Sequence, residues 1–384
     1  MDIIGLILII ITISSIIYHI LTAYCAALFR INIILTQRRL GKIKKWPKVV
    51  CLKPLCGEDK NAFLNLVSFM RMDYPDHMLL FGIADNKDPA FEMAKSMKRY
   101  FPYQVILSIG EERSGSNRKV RNLMQMEKYL PSDTEIVIIS DSDVRVEEDY
   151  IKSMVIPFLD DPQVGATTSI YKVVEDVDLP EVIESLNVET TFIPGVLLAT
   201  TFAPLRYAFG ASIAIRADVL REIGGFASVR DYLADDYMLA RKIIDAGYKI
   251  KLAPHVVSIV PTLNSVKEAF LHALRWSRTI RICNPLGYFL SVICYPLFWG
   301  LFTCIYLDVS SFSLFLFALC AFIRAVCSAL VLAWIDSDIF KAVLTPVWDM
   351  VSFFIWLWGL FGDKVTWRGR EYKVLRDGRI IELG

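Results

Sequence analysis

Two aspartates separated by one serine follow an apolar run near the middle of the chain. The stretch VIISDSDVRV, residues 137–146, carries Asp141 and Asp143. Carboxylates this close repel each other unless a positive charge lies between them, and a hard divalent cation takes such oxygen ligands. It needs only one or two protein carboxylates, because phosphates and water complete its sphere. The pattern therefore predicts a metal site at Asp141 and Asp143, with a helix cap or an Asx turn as the alternative.

Two further acidic clusters stand beside predicted elements. Asp85 and Asp88 follow the apolar run that begins at residue 78, and Asp235 with Asp236 precedes an amphipathic run. The second pair either caps a helix, where it favours the positive end of the helix dipole, or supplies a general base at that helix N-terminus.

A basic amphipathic helix is predicted for the stretch SVKEAFLHALRWSRTIRI, residues 265–282. Its polar and aromatic side chains include His272, Arg275 and Trp276, followed by Arg278 and Arg281. A helix on a membrane surface with arginines that extend toward the headgroups explains this composition. That interpretation leaves the acidic clusters without a role.

The elements that carry these residues alternate between strand and helix. Runs of β-branched and apolar residues separated by amphipathic stretches predict an α/β fold with a mostly parallel sheet covered on both faces. Ligands bind such sheets beyond the carboxyl ends of the strands, where Lys53, Asp85 and Asp141 should meet. The turn after the first strand is CGEDKN rather than GxGxxG, and no GxxxxGK[ST] loop is present, which argues against a nicotinamide enzyme and a P-loop NTPase. The predicted strands are 49–55, 78–85, 104–110, 135–141 and 211–215, and the predicted helices are 61–72, 89–100, 117–130 and 147–159.

Both ends of the chain are strongly apolar, which predicts membrane attachment. Residues 2–29 are long enough to span a bilayer, and the basic residues at 38–48 predict that the following domain is cytoplasmic. Residues 286–307 and 312–335 predict a transmembrane hairpin, in which Arg324 should face protein or a polar lipid group. Residues 343–362 precede a basic tail and predict an interfacial or re-entrant segment, and residues 186–210 predict an interfacial segment that lines the entry of a lipid.

This reading divides the chain into five parts. They are an anchor at 1–30, a basic linker at 31–48, a catalytic domain at 49–282, membrane segments at 283–362 and a basic tail at 363–384. The net charge of +1 gives no basic field for nucleic acid. The eight cysteines form no CxxC pair, and most lie in apolar stretches, which indicates reduced, buried thiols.

Together these motifs resemble the ceramide glucosyltransferase family, a membrane branch of the inverting GT-A glycosyltransferases. The matching segments are IADNKDP, ISDSDVRV, LADDY and HALRW, together with KPLCG at 53–57 and GSNRKVRNL at 115–123. His272 stands where eukaryotic members have Arg or Gln. Several stretches look closer to the bacterial branch of hopanoid lipid synthesis, which predicts a bacterial inner-membrane enzyme.

The resemblance implies a Rossmann-like GT-A domain that uses a UDP-sugar donor, Mg²⁺ or Mn²⁺, and a lipid acceptor, either ceramide or a hopanoid polyol. Asp236 is then the general base, and Arg275 adds a fixed cation beside the diphosphate. The implied catalytic set is Asp236, Arg275, Trp276 and His272. The implied donor-binding set is Lys53, Asp85, Asp88, Asn117, Lys119, Asp141 and Asp235, and the implied metal ligands are Asp141 and Asp143.

Other functions remain open from the sequence. A polyprenyl-phosphate sugar transferase would share the donor site but take a phosphate as acceptor, and a membrane-tethered nucleotide-sugar sensor would bind the donor without turnover. A processive polysaccharide synthase needs a translocation channel, for which the predicted spans are too few. A transporter is disfavoured because more than 200 residues separate the apolar segments and no inverted repeat is visible.

Overall fold

The structure, a computed structural model, describes residues 2–383. The chain divides into two compact units, each assembled from separated segments. One, the sheet unit, comprises residues 32–174, 203–262 and 372–383. The other, the helical unit, comprises residues 2–31, 175–202 and 263–371. Residues 175–202 and 263–282 thus lie in the helical unit, although they fall inside the predicted domain at 49–282.

Helices at both ends of the chain are long and apolar, and shorter amphipathic helices alternate with the strands. The α-helices are α1 Ile3–Leu40, α2 Ala62–Met70, α3 Ala90–Tyr100, α4 Arg118–Glu127, α5 Tyr150–Asp160, α6 Leu179–Asn187, α7 Ile193–Phe202, α8 Ala217–Glu222, α9 Asp235–Asp245, α10 Val266–Cys283, α11 Pro285–Leu290, α12 Pro296–Tyr306, α13 Ser311–Trp334 and α14 Thr345–Gly359. A π-helix covers Val188–Phe192, and 3₁₀-helices cover Phe226–Val229, Ser291–Cys294 and Ile339–Leu344.

The strands form one large and one small sheet. They are β1 Val49–Leu55, β2 His77–Ile83, β3 Val105–Ile109, β4 Ile136–Ser140, β5 Val144–Arg145, β6 Val164–Val173, β7 Ser212–Arg216, β8 Lys249–Ile259, β9 Lys364–Trp367, β10 Arg370–Val374 and β11 Ile380–Leu383. The large sheet has the order β3-β2-β1-β4-β7-β6-β8-β5, and the small one has the order β11-β10-β9.

The large sheet is mixed and mostly parallel. Strands β3, β2, β1 and β4 run parallel, β7 runs antiparallel between β4 and β6, and β8 runs parallel to β6. The sequences of β1 and β4, VVCLKPL and IVIIS, are buried almost throughout. Continuous apolar runs of this kind are expected of strands covered by helices on both faces. The predicted α/β architecture, a mostly parallel sheet with apolar helices at both ends of the chain, is confirmed.

The packing of the sheet explains where polar residues gather. Val120, Leu123 and Met126 of α4 pack with Leu52 and Val137 of the sheet in the main apolar core. Because β1, β2 and β4 are parallel, their carboxyl ends lie at the same edge. The residues that follow these strands are therefore brought together, as the sequence predicts.

Four helices of the described chain are long and apolar enough to cross a membrane. They are Ile3–Leu40, Leu179–Phe202, Ser311–Trp334 and Ile339–Gly359. The apolar segment predicted at 286–307 is bent, since Pro285–Cys294 and Pro296–Tyr306 meet at 63°, and whether it crosses the membrane stays a prediction. Pro296 stands at the start of the second helix, where a proline begins a helix readily but cannot continue the preceding one.

Arg324 of α13 faces protein, as expected. Its Nε donates to Asp349 Oδ1 at 2.8 Å, and its Nη1 donates to the Thr190 carbonyl at 3.1 Å and to Ser328 Oγ at 2.7 Å. Thr190 lies in the π-helix between α6 and α7. These partners satisfy a guanidinium that would be costly to expose to hydrocarbon.

Candidate active site

An ion pair joins two of the predicted site residues at the carboxyl edge of the large sheet. Lys119 Nζ of α4 lies 2.5 Å from Asp141 Oδ1, directly after β4, and 3.8 Å from Asp235 Oδ2 at the start of α9. The Lys119 side chain is 16% exposed, whereas that of Asp141 is 36% exposed. A mostly buried lysine therefore links an aspartate that solvent can reach to the acidic pair of α9.

Asp236 and Gly210 complete this cluster. The backbone N–H of Gly210 donates to Asp236 Oδ2 at 2.8 Å. A Cβ added at Gly210 would lie 3.3 Å from Asp236 Oδ2, 3.5 Å from Lys119 Nζ and 3.7 Å from Asp141 Oδ2. The missing side chain of Gly210 thus leaves space where one ammonium and two carboxylates converge.

The cluster perturbs the acidity of its own members. Burial raises the pKa of Asp236 to about 6, the negative charge of Asp235 adds to this rise, and Lys119 opposes it. Burial also raises the pKa of Asp235. For Lys119, burial lowers the pKa, but Asp141 and Asp235 outweigh this effect and the net shift is upward. Asp236 is therefore ionised near neutral pH while remaining basic enough to accept a proton, which suits a general base.

Lys53 supports the DSD turn from inside the protein. Its side chain is fully buried at the end of β1, and Nζ donates to the Asp141 carbonyl at 2.5 Å and to the Val144 carbonyl at 3.3 Å. The ammonium also lies 4.0 Å from the ring centroid of Phe69. Burial lowers the pKa of Lys53 to about 8, with Asp143 and Asp141 limiting the fall, so the amine stays charged at neutral pH. Lys53 thus supports the turn from this enclosed position, and its contact with the donor stays a prediction.

Asn117 connects the start of α4 to the acidic pair. Its side-chain oxygen accepts from the Val120 N–H at 3.2 Å and so caps α4. Its Nδ2 donates to the Tyr232 carbonyl at 2.8 Å and approaches Asp235 Oδ1 at 3.4 Å. The same residue thus orders α4, which carries Lys119, and the loop that precedes α9.

The C-terminal segment also holds the loop before α9. The Leu233 N–H donates to the Gly378 carbonyl at 3.1 Å, and the Ile380 N–H donates to the Asp231 carbonyl at 2.8 Å. Tyr232 and Arg379 form an antiparallel bridge between them. Nothing in the sequence pattern of the basic tail indicates this pairing, because the tail contacts backbone rather than a motif.

Asp85 and Asp88 follow β2, at the edge predicted for the donor. Asp85 is exposed, and its Oδ1 accepts from the Lys87 N–H at 2.9 Å. Asp88 Oδ1 accepts from the Gly57 and Ala90 N–H groups, each at 2.9 Å, and so ties the end of β1 to α3. An open cleft of about 260 Å³ is lined by residues of the 57–63 and 89–93 segments, which include the Asp88 partners Gly57 and Ala90.

The donor set at this edge fits a hard divalent cation. No group of three or more His, Cys, Asp or Glu side chains with metal-binding geometry occurs among residues 2–383. Mg²⁺ and Mn²⁺ need no such cage where substrate phosphates supply ligands, and carboxylate oxygens are their preferred protein donors. Asp141, whose Oδ2 faces the space at Gly210, and Asp143, after the same strand, offer such donors.

The remaining predicted residues, His272, Arg275 and Trp276, lie on α10 in the helical unit. His272 Nδ1 lies 3.0 Å from Glu184 Oε2, and the ring centroids of His272 and Trp276 are 5.3 Å apart. Arg275 and Trp276 belong to a different unit from the acidic cluster, so their roles toward the donor and acceptor stay predictions.

Two other arginines of α10 have a structural explanation. Arg278 donates to the carbonyls of Phe361 at 3.1 Å and Lys364 at 2.6 Å, and Arg281 donates to the carbonyls of Leu360 and Gly362. These carbonyls follow the end of α14, where backbone acceptors lack intrahelical partners and basic side chains are favoured. The predicted membrane-surface role is not needed to account for these two residues.

The chain matches a family and several proteins of known identity. The model of glycosyl transferase family 21 matches residues 7–380. Ceramide glucosyltransferase 3 of Caenorhabditis elegans is 26% identical over 231 residues, which are 60% of this chain and 50% of that protein. Ceramide glucosyltransferase 1 of the same organism is 28% identical over 210 residues, 54% of this chain and 44% of that protein. The chain spans about half the length of these curated relatives.

Solved structures show a more distant similarity. The mannosyltransferase PcManGT from Pyrobaculum calidifontis, in complex with GDP-Man and Mn²⁺, aligns with a TM-score of 0.48 and 17% identity, covering 91% of this chain and 99% of that chain. S. aureus TarS 1–349, in complex with UDP-GlcNAc, aligns with a TM-score of 0.39 and 13% identity, covering 88% and 99%.

Proposed function

Because the chain belongs to glycosyl transferase family 21, we propose that it transfers a sugar from a UDP-sugar to a hydroxyl group of a membrane lipid, with inversion at the anomeric carbon. The family predicted from the motifs is confirmed at this level. The lipid is ceramide, as the names of the relatives suggest, or a hopanoid polyol, as the bacterial resemblance suggests. Glucose and N-acetylglucosamine are the two candidate sugars.

One observation carries the proposal: an ammonium and two carboxylates converge on the space at Gly210. Lys119 would supply positive charge to a diphosphate leaving group, Asp141 would hold a cation beside it, and Asp236 would act as the base toward the acceptor. Preorganised charges of this kind stabilise the charge that develops in a transition state. The arrangement requires no covalent nucleophile.

In the proposed reaction, the acceptor oxygen attacks the anomeric carbon opposite the diphosphate. The new bond to the acceptor oxygen forms as the bond to the phosphate oxygen breaks, UDP leaves, and the hydroxyl proton passes to Asp236. A positioned base typically contributes about 10²–10⁴-fold to such a rate. Asp141 and Asp143 would hold a divalent cation, which as a Lewis acid supplies charge stabilisation to the diphosphate. Lys53 keeps their turn in place from below.

The acidity of Asp236 favours a hydroxyl over a phosphate acceptor. An alcohol must lose its proton as it attacks, so a carboxylate with a pKa of about 6 has a clear task. A polyprenyl phosphate is already ionised near neutral pH and needs no base. The polyprenyl-phosphate alternative thus leaves the perturbed carboxylate unexplained.

Strand pairing constrains the proposed membrane topology. Strands β6 and β7 pair directly, with Ala166 opposite Ile215, although the apolar helix Leu179–Phe202 lies between them in sequence. A single full crossing would separate β6 from β7 by a bilayer, so we propose that this helix enters and leaves the membrane on one side. This supports the interfacial role predicted for residues 186–210.

The same argument applies to the C-terminal segment. Ile380 pairs with Asp231, and three apolar candidates lie between them, so an even number of these cross the membrane completely. The basic tail is then on the same side as the sheet unit. The basic residues at 38–48 favour the cytoplasmic side for both, and we propose a bacterial inner membrane.

The proposal is tested by incubating the purified protein with individual UDP-sugars and a lipid panel, followed by mass spectrometry of the products. The panel contains ceramide, a hopanoid polyol and a polyprenyl phosphate. We expect one glycosylated hydroxyl lipid, whose formation stops on addition of EDTA and with Asp236→Asn.

The Asp236→Asn variant should still bind UDP-sugar, because this substitution keeps the size of the side chain and removes only the base. Transfer to the lipid phosphate alone would support the alternative function. Donor binding without any product would support a sensor, and full activity in EDTA would contradict the metal assignment.

A further inference from the structure

A histidine and a glutamate form an isolated pair within the helical unit. Glu184 of α6 is almost completely enclosed, with 2% of its side chain exposed, and its Oε2 lies 3.0 Å from His272 Nδ1. The His272 side chain is 28% exposed. A carboxylate is costly to bury, so its placement opposite an accessible ring needs an explanation.

The pair fixes which ring nitrogen of His272 faces outward to a ligand. A carboxylate hydrogen-bonded to Nδ1 keeps the proton on that nitrogen and leaves the lone pair of a neutral imidazole on Nε2. Within the described chain, Nδ1 of His272 is bonded to Glu184 and its ring lies beside that of Trp276, and Nε2 has no hydrogen-bond partner there. His272 thus offers an oriented hydrogen-bond acceptor.

Aromatic rings form an apolar wall next to this acceptor. The Trp276 ring centroid lies 5.3 Å from that of His272 and 5.6 Å from that of Phe192. Phe192 is the last residue of the π-helix Val188–Phe192, and such helices are frequent at functional sites. An oriented acceptor beside an apolar wall matches a ligand that carries a hydroxyl group on an apolar body.

We propose that His272, oriented by Glu184, accepts a hydrogen bond from a hydroxyl group in the headgroup of the lipid acceptor. This inference rests on the proposed function. The ligand class is an uncharged polyol lipid, because the carboxylate of Glu184 behind the ring would repel a lipid phosphate. Glu184 acts through His272 and is a positioning residue, whereas His272 contacts the substrate.

The test compares the kinetics of variants with two acceptor series, a short-chain ceramide and a hopanoid polyol, each in detergent micelles. For the lipid that the wild-type protein glycosylates, we expect His272→Ala to raise the acceptor KM about fivefold to tenfold, the effect of one lost hydrogen bond. The donor KM should change less than the acceptor KM, because the proposed hydrogen bond is made to the lipid.

Conservative variants separate this role from a structural one. His272→Gln carries a side-chain oxygen acceptor and should recover part of the acceptor KM. Glu184→Gln still accepts from Nδ1 and should have a small effect, whereas Glu184→Leu should resemble His272→Ala. His77→Gln is the matched control, because both ring nitrogens of His77 are bonded within the sheet unit, to Tyr74 and Gln104.

Two results would overturn the inference. One is an unchanged acceptor KM in His272→Ala, and the other is an equal loss in donor and acceptor KM in all His272 and Glu184 variants, which indicates a structural pair. Failure of the proposed function looks different, since the wild-type protein itself would then glycosylate neither hydroxyl lipid.

Discussion

The acidity of Asp236 gives the sharpest test of the active-site geometry. Its pKa is raised from 3.8 to about 6 by burial and by the adjacent Asp235 charge, and Lys119 limits the rise. Only the ionised carboxylate can accept the proton of the acceptor. The transfer rate should therefore fall as the pH drops through about 6, well above the range in which an ordinary aspartate titrates.

The expected size of the effect follows from this pKa. With a pKa of about 6, roughly 90% of Asp236 is ionised at pH 7 and roughly 10% at pH 5, so kcat/KM should fall about tenfold between them. An aspartate at 3.8 would stay more than about 90% ionised at pH 5, and the rate would hardly change.

Substitutions that remove the charge of Asp235 or of Lys119 should move the midpoint of the pH–rate profile in opposite directions. Asp235→Asn removes the negative charge that raises the pKa of Asp236, so its midpoint should move to lower pH. Lys119→Met removes the positive charge that lowers it, so its midpoint should move to higher pH even if the rate is much reduced. Asp236→Asn should be slow and lack this acid limb.

The assay is the initial rate of UDP release as a function of pH, with limiting lipid and saturating donor, corrected for hydrolysis without lipid. The protein should be checked for intact fold at each pH by circular dichroism. A midpoint near 4 in the wild-type protein, or shifts of the same sign in the Asp235 and Lys119 variants, would refute Asp236 as the base in this electrostatic environment.

Three further outcomes are expected at the sheet edge. Lys53→Met leaves the Asp141 and Val144 carbonyls without their buried donor, so it should lower the free energy of unfolding by about 1–3 kcal/mol and raise the donor KM. Urea unfolding and steady-state kinetics measure these two quantities, and no change in either would contradict the supporting role of Lys53. Gly210→Val should abolish transfer with little loss of stability, because the valine methyl groups enter the space beside Asp236 and Lys119. The smaller Gly210→Ala variant should retain partial activity. A fully active valine variant would show that the reaction does not use this space. Deletion of residues 376–383 removes the backbone partners of Asp231 and Leu233 and should lower kcat about tenfold or more. Deletion of residues 382–383 is the control. Equal kinetics of the two deletion variants would exclude a role of the tail in holding the loop before α9.

The sequence predicted the strands and the acidic residues that follow them wherever a motif lies at the end of a parallel strand. The strand β1 was predicted with its observed bounds, and β2 and β4 within two residues, because apolar runs buried on both faces have a clear pattern. Asp141 and Asp85 then follow at one edge. The acidic pair was also placed correctly at a helix N-terminus, since α9 begins at Asp235.

Contacts between segments distant in sequence were not readable in this way. Lys53 was expected at the strand edge, but its hydrogen bonds beneath the DSD turn were not foreseen, because they depend on how β1 and β4 pair. Arg278 and Arg281 looked like surface residues until the end of α14 was seen to supply their acceptors. The bend of 63° within the span predicted at 286–307 was not foreseen, because hydropathy does not register a bend.

The sequence by itself determined the type of chemistry, because acids, lysines and apolar runs carry their charge and solvation wherever they fold. It therefore predicted a membrane-attached α/β protein with carboxylates at the strand ends, and the resemblance of its motifs to a known family implied a glycosyltransferase. Only the tertiary structure decided that Gly210 opens the space between Asp141, Lys119 and Asp236, that the tail braces the loop before α9, and that Glu184 orients His272. These relations depend on backbone pairing and burial across long stretches of chain, which no local pattern of residues records.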